Sequence, residues 1–400
     1  MSPIPHSMYD LVVVGAGPAG CCLAGLVADK GYRVLVVEEH PRLGEPVQCA
    51  GLVTPRVAEL AEAGECILNR VSGATIYGPS EQKMVIRSKD REVLVIDRGI
   101  FDRTLGEVAV SKGAEILLDT RASAILEKKD GCIVDIGDRK VETRYVAGCD
   151  GPSSIVRRRM GLPTPKILAG VSVEGTTTGL EEDMVALRCG NKFAPGFFAW
   201  AIPVGNGRVR IGLAVDPKRA VFPAREYLER IINSPRSLGM TSPIEGPKWS
   251  CGVIPVSPPK KCASQRMLLV GDSACQVKAT SGGGIVMGLT AAEHASNVLS
   301  KRLSENSKEG LQEYNRLWQG DIGKEVRRDW AMHSYYSRMD DSRLEKAFSL
   351  LSREDVVQII NNLGDIDYPS RLVLPLIHAC PSLSKMMAPI LWEYTRSYLY

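Results

Sequence analysis

Three glycines near the N-terminus have the spacing of a phosphate-binding turn. The sequence reads Gly15-x-Gly17-x-x-Gly20, directly after an apolar run and before a stretch of helical character. Such glycines allow a tight turn, a close approach of backbone to a pyrophosphate, and close packing of a helix on a strand. Glu38 ends the next apolar run, where a carboxylate can accept hydrogen bonds from ribose hydroxyls. The pattern predicts a dinucleotide site, and the alternative is a glycine-rich turn without a ligand.

Two further segments combine glycine with aspartate. Asp150-Gly151 follows an apolar run, and the serines at 153–154 can alternatively make it an ordinary helix-capping turn. Gly271-Asp272 ends another apolar run and is followed by glycines at 282–284. A carboxylate here can bind the polyol part of a cofactor, and a helix N-terminus can approach a flat ring and stabilise negative charge on it. The alternative role for Asp272 is a helix N-cap.

These segments require a scaffold of parallel strands. Residues 9–14 and 33–37 are apolar and rich in β-branched side chains, and with the helical stretch 18–30 they form a β-α-β unit. The Gly- and Pro-rich stretch 41–54 predicts a long functional loop. Asp97-Arg98 begins a further helix. Residues 161–262 lack α/β alternation and predict a mainly antiparallel sheet.

We therefore expect an α/β fold, α+β overall, in three parts. The first is a discontinuous Rossmann-like cofactor domain formed by residues 1–70, 97–160 and 263–310. The second is an antiparallel-sheet substrate domain formed by 71–96 and 161–262, and the third is a helical C-terminal region, 311–400.

Composition excludes several classes of protein. The net charge of +4 over 400 residues does not indicate nucleic-acid binding, although it permits weak attraction to anionic lipid. The 11 cysteines include no C-x-x-C pair, and the histidines have no metal-ligand spacing, so we expect no metal. The N-terminus does not resemble a signal peptide, and no apolar stretch is long enough to span a membrane. We expect a cytoplasmic protein with reduced thiols, with peripheral membrane contact left open.

The three motifs occur in the order found in FAD-dependent flavoproteins related to p-hydroxybenzoate hydroxylase, which the chain resembles over some 270 residues. Within that group it resembles the geranylgeranyl reductase family, which includes the archaeal digeranylgeranylglycerophospholipid reductases. Four segments carry this resemblance: Pro46-Val-Gln-Cys49, Tyr77-Gly-Pro79, Asp97-Arg98-Gly-Ile-Phe101-Asp102, and Pro195-Gly-Phe-Phe198-Ala-Trp200-Ala-Ile-Pro203. Departures occur at Phe198 and Ile202, where the family has Tyr and Phe, and at Lys278-Ala279, where it has Asp-Pro. They leave the substrate open.

The resemblance implies FAD as cofactor and assigns roles residue by residue. The implied FAD contacts are Gly15, Gly17, Ala19, Gly20, Glu38, Cys49, Ala50, Gly51, Arg98, Ala122, Asp150, Asp272, Gly284 and Ile285. Cys49 is implied to lie near the reactive face of the flavin, as the one catalytic candidate, and inert packing is its alternative. Phe198, Trp200 and Tyr77 are implied to line the substrate site, with ordinary core packing as their alternative. Arg98 has a surface salt bridge as its alternative role.

The implied reaction is saturation of C=C bonds in geranylgeranyl chains by hydride from reduced flavin. The substrate is then a geranylgeranyl lipid or diphosphate, and an external donor such as NADPH or ferredoxin reduces the flavin, because no second dinucleotide motif is present. Two alternatives are an aromatic or polyketide monooxygenase on the same fold, and a non-redox prenyl-binding carrier like the Rab GDP-dissociation inhibitors.

Three other segments have simpler interpretations. Cys21 and Cys22 are expected in the core, and Arg157–Arg159 on a solvated helix face. The apolar stretch 386–394 is expected to pack on the core, and its alternative role is a lip that contacts a membrane surface.

Overall fold

The computed structural model describes residues 8–61, 64–88, 91–259, 261–305, 309–385, 388, 391 and 392. Its strands are β1 (Tyr9–Val14), β2 (Val34–Val37), β3 (Leu52–Val53), β4 (Ile67–Val71), β5 (Gly73–Tyr77), β6 (Lys83–Arg87), β7 (Val93–Ile96), β8 (Glu115–Leu117), β9 (Ala122–Glu127), β10 (Cys132–Ile136), β11 (Arg139–Gly148), β12 (Ile167–Thr176), β13 (Met184–Cys189), β14 (Phe198–Gly205), β15 (Arg208–Val215), β16 (Glu245–Pro255) and β17 (Met267–Leu269). Its α-helices are α1 (Pro18–Ala28), α2 (Pro55–Ala61), α3 (Arg98–Ser111), α4 (Ile155–Arg159), α5 (Ala224–Ile232), α6 (Ile285–Ser304), α7 (Gln312–Gly320), α8 (Gly323–Tyr336), α9 (Asp341–Leu351), α10 (Glu354–Leu363) and α11 (Val373–Ala379).

The first sheet carries the glycine motifs. Its order is β8-β2-β1-β11-β10-β9, and β17 pairs with the end of β11. Strands β8, β2, β1, β11 and β17 run parallel, whereas β10 is antiparallel to both of its neighbours. The strands β1, β2 and β17 are buried almost throughout because α1, α3 and α6 cover the sheet. Parallel pairing places the C-terminal ends of β1, β11 and β17 at one edge.

The second sheet has the order β16-β12-β15-β14-β13-β5-β6. All of its pairs are antiparallel except β13 with β5. A small third sheet, β3-β7-β4, lies between the long loop and this second sheet.

Alternation along the strands gives the second sheet two different faces. Ala199, Ile211 and Leu213 point to one face, where they form a core with α5, and we call this the outer face. Trp200, Ile202 and Ala214 point to the other, which we call the inner face. The inner face is covered by the third sheet, the loop around Ala50, and Trp330 of α8.

The C-terminal part of the chain is helical from α6 onward. Helix α6 packs directly against α1. Helices α7 and α8 follow α6 in the chain and pack in the same order. Within the described ranges, no helix combines the length and the apolarity needed to cross a membrane. Most of the apolar stretch 386–394 lies outside the described residues, so its role stays a prediction.

The fold class expected from the sequence is confirmed, and the antiparallel sheet falls within 161–262 as predicted, joined by β5 and β6. The division into three domains stays a prediction. Cys21 is fully buried, and Cys22 is half-buried. The prediction for Arg157 is wrong: its side chain is buried and donates to Pro163 O (2.8 Å), Ser273 O (2.9 Å) and Cys275 Sγ (3.3 Å). Arg158 and Arg159 are exposed.

Candidate functional site

The glycine turn after β1 is tightly packed at two positions and open at the third. Gly15 has φ +99°, and an added Cβ would lie 2.5 Å from Cys149 O. An added Cβ at Gly20 would collide with Gly15 O. By contrast, nothing lies within 4 Å of the Cβ position of Gly17, which is the N-cap of α1 and caps the helix with no side chain. The helix N-terminus therefore faces open space, as a pyrophosphate requires.

Glu38 lies beside this turn, at the end of β2. Its carboxylate accepts hydrogen bonds from Ala16 N (2.7 Å) and His40 N (3.0 Å), and it contacts His40 Nδ1 at 2.5 Å. The side chain thus closes one end of the glycine turn, where the sequence predicts a ribose.

The other two motifs meet the first at the same edge of the sheet. Ala19 in α1 lies against Gly271, because an added Cβ at Gly271 would be 3.0 Å from Ala19 Cβ. Asp272 Oδ1 lies 3.1 Å from the Cβ position of Gly284, which is the N-cap of α6, and Ile285 begins that helix. Asp272 therefore lies beside the N-terminus of α6, which has no side-chain cap, and caps no helix itself.

Both aspartates of these motifs are held in a poorly solvated environment. Asp150 Oδ2 accepts Ile155 N at 2.7 Å, whereas Oδ1 is buried with no partner among the described residues. Ser154 Oγ caps α4 by accepting Arg157 N, as the sequence suggested. Burial raises the pKa of Asp150, and it raises the pKa of Asp272 to about 6, an effect that the Arg98 guanidinium opposes.

The loop 46–51 lies between the two large sheets. Its Cys49 Sγ accepts Gly51 N at 3.4 Å and lies beside the Arg98 guanidinium. Arg98 makes a two-point ion pair with Asp102 (3.0 and 2.9 Å), and both side chains are largely buried, so the pair is not a surface salt bridge. The contact of Arg98 with FAD stays a prediction. Arg210 Nη1, from the inner face of β15, donates to Ala50 O at 2.6 Å, and an added Cβ at Gly51 would lie 2.5 Å from it.

The three residues implied to line the substrate site do not meet. Trp200 and Phe198 lie on the inner face of the second sheet, with ring centroids 6.1 Å apart. The Trp200 indole covers Gly212 of β15. Tyr77 points to the outer face, where it packs with the α5 core, because its position in β5 has the opposite parity. Ala122 lies at the start of β9 and is buried.

An ion network around a buried Lys278–Asp367 pair joins this site to the C-terminal helices. Lys278 Nζ contacts Asp367 Oδ1 at 2.9 Å and donates to Ile366 O at 2.7 Å. Asp367 Oδ2 also binds Arg56 (3.0 Å) and Thr54 (2.5 Å), which follow the long loop. The Lys278 stem passes over Gly283, so the network lies directly beside the N-terminus of α6.

Helix α8 contributes a second buried polar stripe. Asp329 accepts hydrogen bonds from Thr280 N (3.1 Å) and Thr280 Oγ1 (2.5 Å), and burial raises its pKa to about 6. His333 Nε2 lies 3.2 Å from Gly196 O, in the segment that leads into β14. Burial lowers the pKa of this imidazole, so a neutral ring donating to the carbonyl fits the contact.

Three residues of this site were not predicted from the sequence: Arg210, Lys278 as an ion-pair partner, and His333. Arg210 had a usable signal, since it is a cation inside the otherwise apolar alternation of residues 209–215. The partners of Lys278 and His333 are 89 and 137 residues away, and no local pattern indicates them. Among the described residues, no group of three or more His, Cys, Asp and Glu side chains is arranged to hold a metal ion.

The residues at this edge fit FAD. The open position at Gly17 and the uncapped N-terminus of α1 suit a pyrophosphate, and Glu38 lies where a ribose would follow. Asp150 Oδ1 has no partner among the described residues, and the carboxylate of Asp272 lies beside Gly284 at the N-terminus of α6. The individual contacts stay predictions.

Comparison with known proteins agrees with this interpretation. Residues 8–318 match the family model described as "FAD binding domain". The chain is 31% identical to digeranylgeranylglycerophospholipid reductase 1 of Methanococcoides burtonii, over 96% of this chain and 94% of that protein. It is 30% identical to the digeranylgeranylglycerophospholipid reductase of Methanothrix thermoacetophila, over 87% of this chain and 92% of the relative.

A solved structure shows the same fold. The crystal structure of a geranylgeranyl bacteriochlorophyll reductase-like protein from Thermoplasma acidophilum superposes with a TM-score of 0.83 and is 22% identical. The alignment covers 96% of this chain and 99% of that chain, so both large sheets and the C-terminal helices belong to the shared fold.

Gly17→Val tests whether the open position at α1 receives the pyrophosphate. An added Cβ has no protein atom within 4 Å, so the unfolding free energy of the flavin-free protein should change by no more than about 1 kcal/mol. FAD affinity, measured by flavin titration, should fall about tenfold or more because the anion loses its approach to the helix. Gly320→Val is the matched control, since that position is equally open but lies at the end of α7. Equal FAD affinity in both variants would contradict the assignment.

Asp272→Asn tests the buried carboxylate through pH dependence. The pKa of Asp272 is about 6 in the folded protein, above the value of about 3.9 for an unfolded aspartate. The stability that protonation of Asp272 gives the native state is therefore fully present at low pH and is lost as the pH rises through 6. The variant should therefore be more stable than the wild type by about 1–3 kcal/mol near pH 8 and equally stable near pH 4, measured by urea unfolding of the flavin-free protein. Asp138→Asn, in an exposed turn, should show no such trend. A constant difference across pH would refute the burial argument.

Proposed function

Because this chain belongs to the digeranylgeranylglycerophospholipid reductase family of FAD-binding proteins, we propose that it saturates C=C bonds of geranylgeranyl chains on archaeal-type lipid precursors. The cofactor is FAD and the protein is an oxidoreductase. The observation that carries the proposal is the position of the inner face. Its aromatic pair, Phe198 and Trp200, faces loop 46–51, beside the sheet edge where the glycine motifs meet, which we call the cofactor edge.

The inner face offers an apolar lining. Trp200, Phe198 and Ile254 contribute apolar surface, while the neighbouring strands carry small residues. At Gly170 of β12, an added Cβ would meet only backbone atoms within 4 Å, with Gly252 O nearest at 3.3 Å. Burying a prenyl chain supplies about 0.8 kcal/mol per CH₂, so such a lining gives ample affinity without polar contacts.

Reduced FAD, when bound, supplies the hydride, and a proton donor completes the addition across the alkene. We assign Cys49 to the reacting side of the cofactor, with Gly51 N and Arg98 holding its position. Arg210 fixes the loop that carries Cys49 to the inner face through Ala50 O. The packed aromatic side chains exclude water, which favours transfer to the alkene over loss of the hydride equivalent to solvent.

Electrons must reach the flavin from a separate donor. NADPH or a ferredoxin fits the proposal, because the chain has one dinucleotide motif and FAD occupies it. We further propose a cytoplasmic protein that meets its lipid at a membrane surface.

The direct test uses FAD-loaded protein reduced anaerobically with dithionite and mixed with a geranylgeranyl lipid. We expect a mass gain of about two per saturated bond, since each addition delivers a hydride and a proton. Unchanged substrate after prolonged incubation, with the flavin reduced throughout, would refute the proposal. Oxygen-dependent NADPH oxidation stimulated by an aromatic substrate would instead indicate a monooxygenase. Purified protein without bound flavin would indicate a prenyl carrier.

Gly170→Phe tests whether the inner face holds the chain. The added ring projects from β12 on the inner face, so kcat/KM for the geranylgeranyl lipid should fall about tenfold while FAD content stays unchanged. Val253→Phe is the matched control, because Val253 lies on the neighbouring strand β16, is exposed, and points to the outer face. Steady-state rates in the dithionite assay provide the measurement. An equal loss in both variants would place the chain elsewhere.

A further inference from the structure

A groove outside the cofactor edge lies on the far side of α8. It encloses about 500 Å³ and is lined by Ser334, Tyr335, Arg338, Arg343 and Trp392, with Ala331 and Met339 beneath them. This volume falls within the range of small-molecule sites in proteins.

One helix separates this groove from the site already described. Ala331, Ser334 and Tyr335 follow the i, i+3, i+4 pattern and form one face of α8, and Arg338 comes directly after the end of this helix. Asp329, His333 and Tyr336 form the opposite face, toward Thr280 and Gly196. The groove is therefore a separate surface.

The two arginines give the groove its charge. Within the described part of the chain, neither Arg338 nor Arg343 makes an ion pair or a side-chain hydrogen bond. The neighbouring carboxylates are directed to backbone and amide groups: Asp340 Oδ1 accepts Arg343 N at 2.8 Å, and Asp341 Oδ1 accepts Asn191 N and Nδ2 at 2.7 and 2.9 Å. Two unpaired guanidiniums and the Ser334 hydroxyl form a donor set suited to phosphate oxygens.

The remaining lining is apolar and aromatic. Met339 and Ala331 are buried, and the Tyr335 and Trp392 side chains complete the lining. A bare anion would make no contact with this apolar surface. The groove also adjoins the chain segment that leads into β14, the strand that carries Phe198 and Trp200. Met339 O accepts a hydrogen bond from Asn191 Nδ2 at 2.9 Å, and Asn191 precedes the turn into β14. A ligand with a phosphate head and an apolar stem fits both observations.

We propose that this groove binds the phosphate-bearing headgroup of the prenyl lipid while its chain passes around the end of α8 to the inner face. The proposal rests on the proposed function for the identity of the chain. Arg338 and Arg343 hold the phosphate, and Tyr335 and Trp392 pack against the first carbons of the stem.

The test measures equilibrium binding to the oxidised, FAD-loaded protein, so it does not depend on turnover. The probes are geranyl monophosphate, geraniol and inorganic phosphate, and the variant is the double substitution Arg338→Gln with Arg343→Gln. The affinity for geranyl monophosphate should fall about tenfold or more, and that for geraniol should stay within about twofold. Arg236→Gln, at another exposed arginine, should change neither value. FAD content and thermal midpoint verify that the variants fold.

Four results would overturn the proposal. The first two are an unchanged affinity for geranyl monophosphate in the double variant and an equal loss of affinity for geraniol. The other two are inorganic phosphate binding as tightly as geranyl monophosphate, and displacement of geranyl monophosphate by 2′,5′-ADP, which would make the groove a nucleotide site. Failure of the proposed function is recognised separately, because it appears as no mass gain with the reduced wild-type protein, whatever the binding data show.

Discussion

The parallel pairing of β11 with β1 on one side and β17 on the other is the constraint on which the site depends. It brings three turns that are more than a hundred residues apart in sequence to one edge of a sheet. The fit is close enough to fix residue types, since Gly15 touches Cys149 O with no room for a Cβ, and Gly271 lies against Ala19. A shift of this pairing by one residue would separate the motifs and turn buried side chains outward.

The two faces of the second sheet differ in what they pack against and in the residues they carry. The outer face builds a conventional core with α5, which gives the sheet its own stability. The inner face is therefore free to carry small residues, aromatic side chains and a buried cation. Arg210 has its charge balanced by Glu174 at 2.9 Å, so the same guanidinium can donate to the carbonyls of Ala50 and Ile96 without leaving an unpaired charge.

Much of the cofactor edge could be predicted from the sequence because its signals are local. The apolar runs before Gly15, Asp150 and Gly271 specify buried strands, and the glycine spacing specifies the tight turns at their C-terminal ends. Arg157 was wrongly expected in solvent because two exposed arginines come directly after it and its acceptors, Pro163 O and Ser273 O, are contributed by the later chain. Tyr77 was grouped with Trp200 by resemblance, yet strand parity separates them. The groove beside α8 required the tertiary structure, since Arg338 and Trp392 are brought together only by the packing of the C-terminal helices.

The network around Asp367 has a consequence for exchanging parts between relatives. This one carboxylate neutralises Lys278, from the glycine loop before α6, and Arg56, from the segment after the long loop. A chimera that took its C-terminal helices from a relative lacking this aspartate would leave the buried Lys278 without its anion, whereas Arg56, whose side chain is 43% exposed, would lose less. The glycine loop that carries Lys278 and the C-terminal segment that carries Asp367 therefore have to be exchanged together.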